Sequence, residues 1–115
     1  MRNDKENVIV EKTVAFSLAI IKYCEALEHD RKYVIANQLL KSGTSIGANV
    51  FESQNAESKA DFIHKMKVAA KEASEAKYWL ILCEKSEGYR FEEKLRNDLE
   101  EILRILSKII SSSKG

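Results

Sequence analysis

Between Ser42 and Phe51 the chain carries no charged residue, although 32% of its residues are charged. Small residues (Ser42, Gly43, Thr44, Ser45, Gly47, Ala48) surround two aliphatic residues, Ile46 and Val50, and one amide, Asn49. Small side chains let backbones approach closely, and charge is excluded where two surfaces meet without water. Such a stretch is either a packed contact surface or a tight corner, and spacing separates the two. Ile35, Leu39, Ser42, Ile46 and Val50 follow one another at steps of three and four, the repeat of one helix face. Ala36, Gly43 and Gly47 form a smooth strip beside it. The stretch therefore reads as the C-terminal half of a packed helix.

The rest of the chain agrees. There is no proline and there are only four glycines, so little interrupts a helix. Four helical segments are expected, at about 8–28, 31–52, 59–86 and 91–111. In the first, residues 13–21 (TVAFSLAII) carry no charge on any face, so more than one neighbour is expected to cover them. Asp30 is a candidate N-cap for the second. Ser58 with Asp61 three residues later resembles a capping box for the third, Asp replacing the usual Glu. Along the third helix Phe62, Met66, Ala69, Ala70, Ala73, Ala76 and Leu80 face inward, and Gly88 is its natural stop. Phe91, Leu95, Leu99, Ile102, Leu106 and Ile109 form the stripe of the fourth, broadened by Leu103 and Ile110, and the tail from 111 to 115 is expected to fray. Acidic residues early and Arg104 and Lys108 late suit its dipole. Helices of about 30 Å joined by short loops predict an all-α, antiparallel up-down-up-down four-helix bundle, one domain over 1–115.

Composition narrows the function. Nineteen Lys and Arg stand against 18 acidic residues, a formal net charge of +1. Nucleic-acid binding then requires a local patch or one built by assembly. No apolar run reaches the roughly 18 residues of a membrane span. The N-terminus, MRNDKENVIVEK, lacks the apolar segment of a signal peptide. Cys24 and Cys83 suit buried thiols in a reducing compartment, so a cytoplasmic location is expected.

Sites of chemistry are hard to find. A di-iron bundle needs two Glu-x-x-His pairs and two more glutamates, but the chain offers Asp61-Phe62-Ile63-His64 and one other histidine, His29. Neither cysteine has a partner at metal-ligand spacing. The run KSGTSIGA departs from the phosphate-loop order and follows no strand. No serine is marked as a nucleophile. Glu72 and Glu75 read as members of a solvated face with Lys67 and Lys71. Tyr78-Trp79 beside Lys77, and Tyr89-Arg90-Phe91, are the only aromatic–basic clusters that could stack on single-stranded nucleic acid; Trp79 reads as packing at a bundle edge or against another subunit. No catalytic residue, cofactor or metal is expected. The polar side of the second helix, Ser45, Asn49 and Glu52, is expected to meet Lys71 or Glu75 of the third, because a buried amide requires partners.

The segment Gln38-Leu39-Leu40-Lys41-Ser42-Gly43-Thr44-Ser45-Ile46-Gly47-Ala48-Asn49-Val50, followed by Glu52, resembles the hallmark of the four-helix-bundle proteins encoded in intervening sequences of 23S rRNA genes, also labelled S23 ribosomal protein-like. Residues 58–80 (SKADFIHKM…AAKEASEAKYWL) resemble the partner helix of that family. The resemblance covers about residues 10–110. It implies a homo-oligomer, a ring-like pentamer, and kinship with the accessory proteins of diversity-generating retroelements, which bind nucleic acid and a reverse transcriptase. Departures are Leu40-Lys41 in place of paired basic residues, Glu52-Ser53 in place of Glu-Gly, and Lys71-Glu72 in place of Gly-Ser; the retroelement proteins are also strongly basic.

The expected function is a non-enzymatic oligomeric bundle that binds RNA or a nucleic acid–protein complex, with Lys41, Lys65, Lys71, Arg104 and Lys108 as candidate contacts. The alternative is a protein-interaction or structural module without nucleic-acid contact. A small-molecule or metal enzyme is the least supported class.

Overall fold

With no proline to interrupt it, the chain runs as four helices: α1 (Asp4–His29), α2 (Tyr33–Ser53), α3 (Lys59–Lys85) and α4 (Glu93–Lys114). The computed structural model describes residues 4–114, with side-chain environments from residue 8 onward. Each helix packs on its sequence neighbours, and α1 closes the ring against α4; among the described residues the diagonal pairs α1/α3 and α2/α4 bring no Cα atoms within 8 Å of each other. This is the antiparallel up-down-up-down four-helix bundle that the periodicity predicts, elongated to 46 × 19 × 19 Å.

The core is a ladder of inward positions three and four residues apart. Phe16, Ile20, Tyr23 and Leu27 of α1 meet Leu39, Ile46 and Val50 of α2, Met66, Ala69, Ala73, Ala76 and Leu80 of α3, and Leu95, Leu99, Ile102, Leu106 and Ile109 of α4. Phe62, Ala70, Leu103 and Ile110 pack half-buried against this core. The alanines of α3 let it approach α2 and α4 closely.

Each turn is set by local chemistry. After α1, Arg31 adopts a left-handed conformation (φ 65°). Its N–H bonds to Glu28 O and that of Lys32 to Leu27 O, at 2.9 and 2.8 Å, the paired bonds that close a helix C-terminus. Helix α2 therefore starts at Tyr33 rather than at residue 31. Its N-cap is Lys32, without a side-chain cap bond, and not Asp30. Asp30 instead receives two bonds from the Arg90 guanidinium, at 2.7 and 2.8 Å. Ser58 does cap α3, accepting from Asp61 N–H at 3.0 Å, while the Asp61 carboxylate accepts from Glu57 N–H at 3.2 Å. Gly88, at φ 80°, turns the chain after α3. Phe91 stands just before α4, half-buried against the core. The serines expected to fray remain helical through Lys114, with Ser112 Oγ donating to Lys108 O at 2.7 Å.

One end of the bundle is tied across its loops. Buried Tyr23 donates its hydroxyl to Arg90 O at 2.6 Å, and Arg90 in turn holds Asp30. Burial pushes the Tyr23 phenol well above its usual range and the Cys24 thiol up to about 12, and it raises Cys83 as well. Both thiols are buried and free. They lie on diagonal helices that never come within 8 Å between Cα atoms, too far for a disulfide.

Candidate functional site

The uncharged half of α2 lies on α1. A Cβ built on Gly43 would stand 2.9 Å from Ile20 Cγ2, and one on Gly47 would stand 3.3 Å from Ser17 Oγ. The hydroxyl groups here turn back onto their own helix: Ser42 to Gln38 O (3.1 Å), Thr44 to Leu40 O (2.8 Å), Ser45 to Lys41 O (2.6 Å) and Ser53 to Val50 O (2.6 Å). Thr13 of α1 does the same to Ile9 O at 2.8 Å. Small polar side chains that satisfy themselves this way leave a smooth surface with no donor or acceptor demanding a partner.

Asn49 follows this rule. Its Nδ2 donates to Ser45 O at 2.9 Å, so its partner is on α2 and not on α3. The cross-helix bond of the motif runs from Lys65 Nζ to Glu52 at 3.1 Å. Lys71 is exposed, and Glu75 accepts a long bond (3.5 Å) from Trp79 Nε1 on its own helix. The structure thus gathers Ser45 with Asn49, and Glu52 with Lys65. Lys65 reaches Glu52 because it lies near the start of α3, beside the end of α2, whereas Lys71 and Glu75 are two to three turns further along.

The candidate cations are distributed. Lys41 is on α2, Lys65 and Lys71 on α3, Arg104 and Lys108 on α4. Since α2 and α4 occupy diagonal corners, Lys41 is set apart from Arg104 and Lys108. Glu52 holds the Lys65 ammonium in its charged form, raising its pKa. Tyr89 and Phe91 pack half-buried against the core in the α3–α4 connection: Lys32 Nζ sits 4.9 Å from the Tyr89 ring and the Arg96 guanidinium 5.8 Å from that of Phe91. Tyr78 and Trp79 meet edge to face at 5.2 Å, Trp79 packing on the core and Tyr78 standing 56% exposed. Among the described residues no three His, Cys, Asp or Glu side chains are grouped to hold a metal ion, and no helix is long and apolar enough to cross a membrane.

A groove is the feature that sequence spacing located only in part. Val14, Leu18 and Ile21 of α1 and Thr44, Ala48 and Phe51 of α2 line a volume of about 500 Å³ along the α1–α2 seam. Leu18 is 62% and Phe51 64% exposed. The uncharged middle of α1 is covered by α2 and α4 on its Thr13, Phe16 and Ile20 side; its Val14–Leu18–Ile21 side is open. The absence of charge at residues 13–21 was the signal for it. Phe51 gave none, because an aromatic residue at a helix end is common on ordinary surfaces. A second, smaller pocket between α1 and α4 is lined by Lys12, Lys94, Asp98 and Glu101, whose charges pair as Lys12–Glu101 and Lys94–Asp98.

No curated protein matches the chain. Among solved structures, a protein of unknown function of the S23 ribosomal protein family from Bacteroides thetaiotaomicron is similar, with 42% identity and a TM-score of 0.88 over 93% of this chain and 98% of that one. The model of the 23S rRNA-intervening sequence protein family matches residues 5–108. That match spans both the Ser45–Asn49–Glu52 motif and the helix that supplies Lys65, and the chain belongs to the 23S rRNA-intervening sequence protein family.

Proposed function

We propose that the protein is a non-enzymatic bundle that assembles with copies of itself in the cytoplasm and serves as an adaptor for RNA or an RNA–protein complex. The observation that carries this reading is the open groove at Val14, Leu18, Ile21 and Phe51. Contiguous exposed apolar surface of this kind marks an interaction site. RNA enters through the family: its proteins are named for 23S rRNA intervening sequences, and the resemblance of the motif to that family implies kinship with the accessory proteins of diversity-generating retroelements. The ring-like pentamer is the form that resemblance favours. Candidate cations scattered over three helices can form one basic surface only when several subunits contribute to it.

Light scattering tests assembly, with a mass near five times 13.1 kDa expected. Binding to structured rRNA fragments tests the adaptor role. Affinity should fall steeply as salt rises, since phosphate contacts release counterions, and Lys41→Glu or Lys108→Glu should flatten that slope. No measurable binding at low salt would remove RNA from the reading. The second reading, a protein-interaction module, is favoured by the net charge of +1 and by the pairing of Lys65 with Glu52. It predicts a protein partner retained after nuclease treatment.

A further inference from the structure

We infer that the apolar groove on α1–α2 of one subunit receives the outer face of α3 from a second copy of the chain, so that subunits join face to opposite face. This rests on the assembly reading above and names its two surfaces. On α1, Glu11, Val14, Leu18, Ile21, Glu25 and Glu28 follow at steps of three and four, and all six are exposed. They form one stripe, apolar in the middle and acidic at both ends, with Lys22 at its edge. On α3, exposed Lys67, Lys71, Ser74 and Tyr78 follow at the same steps, and exposed Lys85 lies two turns beyond Tyr78, past half-buried Ile81. This stripe is basic, carries one aromatic side chain, and has Glu75 at its edge. The two stripes complement each other in charge, including the single opposite charge on each.

Position supports the pairing. Helices α1 and α3 occupy diagonal corners, so the stripes face opposite sides of the molecule. They also run in the same direction and have nearly equal lengths, 26 and 27 residues. The α1 stripe set against itself would instead oppose Glu11, Glu25 and Glu28 to one another, and like charges in a contact are costly. A contact between two different faces of the same chain closes into a ring or runs on as a filament.

Mixing single-face variants provides the test. Leu18→Glu blocks the groove, and the double substitution Lys71→Glu, Tyr78→Ala blocks the α3 face. Both lie on exposed positions, and circular dichroism verifies that helix content is kept; Val14→Gln is a second groove variant. Each variant alone should run at 13.1 kDa in light scattering. An equimolar mixture should form a species of twice that mass and no larger, since one intact groove meets one intact α3 face. An α3-face variant that keeps the wild-type assembly, or a mixture that stays monomeric, would overturn the inference while leaving assembly itself standing. A wild-type protein that runs at 13.1 kDa would overturn the assembly reading.

Discussion

Arg31 holds a conformation that suits glycine. At φ 65° its Cβ crowds the following carbonyl, at a cost of roughly 1–2 kcal/mol for an L-residue. The position is exposed and its side chain has no role in the turn, whose two closing bonds are made by backbone N–H groups of Arg31 and Lys32. Arg31→Gly should therefore stabilise the protein by about 1 kcal/mol, the strain relieved exceeding the added freedom of the unfolded chain. A rise in the urea midpoint with unchanged slope would show it. One residue earlier, the hydrogen-bonded Arg90 guanidinium holds the Asp30 carboxyl below its usual range, with smaller help from His29 and Lys32. A carboxyl depressed in the folded state stabilises it at pH values above its unfolded pKa of about 3.9. That contribution is lost as pH falls through the lower folded value. Asp30→Asn should thus lower the urea midpoint at pH 7, and the gap from wild type should close as the pH is taken below 4. A gap that persists at pH 2 would mean that the pairing is not its source.

At the scale of the helices, the two glycines of α2 separate close approach from mere smoothness. A methyl at Gly43 would meet the buried, β-branched Ile20 at 2.9 and 3.2 Å, and neither atom belongs to a flexible end that can swing away. Overpacking of this kind costs about 1–3 kcal/mol, more than the roughly 1 kcal/mol that alanine adds to helix propensity over glycine. Gly43→Ala should destabilise. At Gly47 the nearest atoms are at 3.3 and 3.4 Å, so strain and propensity nearly cancel, and Gly47→Ala should change stability little. Gly47→Leu, which cannot fit against Thr13, should lower stability or disrupt assembly. Denaturation curves of the three variants rank the positions. The smooth strip was legible in the sequence because its spacing is helical and it carries no charge. The stripes of α3 and α4 were legible for the same reason, each set by local period. What spacing did not reveal was pairing between helices. Lys65, Lys71 and Glu75 share one helix and one polar character, and only the offset between α2 and α3 selects Lys65 for Glu52. Asp30 likewise had the chemistry of an N-cap, but a long-range partner, Arg90, 60 residues away in sequence, and the left-handed turn at Arg31 placed it elsewhere.

For the whole molecule, the decisive contrast is between its core and its open seam. The core is closed by four helices, with Leu39, Ile46, Leu80 and Leu99 fully buried. Beside it, Leu18 and Phe51 stand more than half exposed on a surface where the Thr44 and Ser45 hydroxyls already bond to their own helix. Surface of that kind is stabilised by removal from water at about 25 cal/mol per Å², and in a self-assembling protein the stabilisation becomes dependent on concentration. Anything that binds the folded chain and not the unfolded one raises its apparent stability by mass action; here the ligand is another copy. Each tenfold dilution should therefore remove on the order of 1 kcal/mol per chain. For a chain of this size that lowers the thermal midpoint by a few degrees, about 3–6 °C. The Leu18→Glu variant should melt at one temperature across the whole range, because its groove no longer takes a partner. Calorimetry or circular dichroism over a hundredfold range of protein concentration makes the comparison, and a wild-type midpoint that does not move with concentration would mean that the seam stays open to solvent.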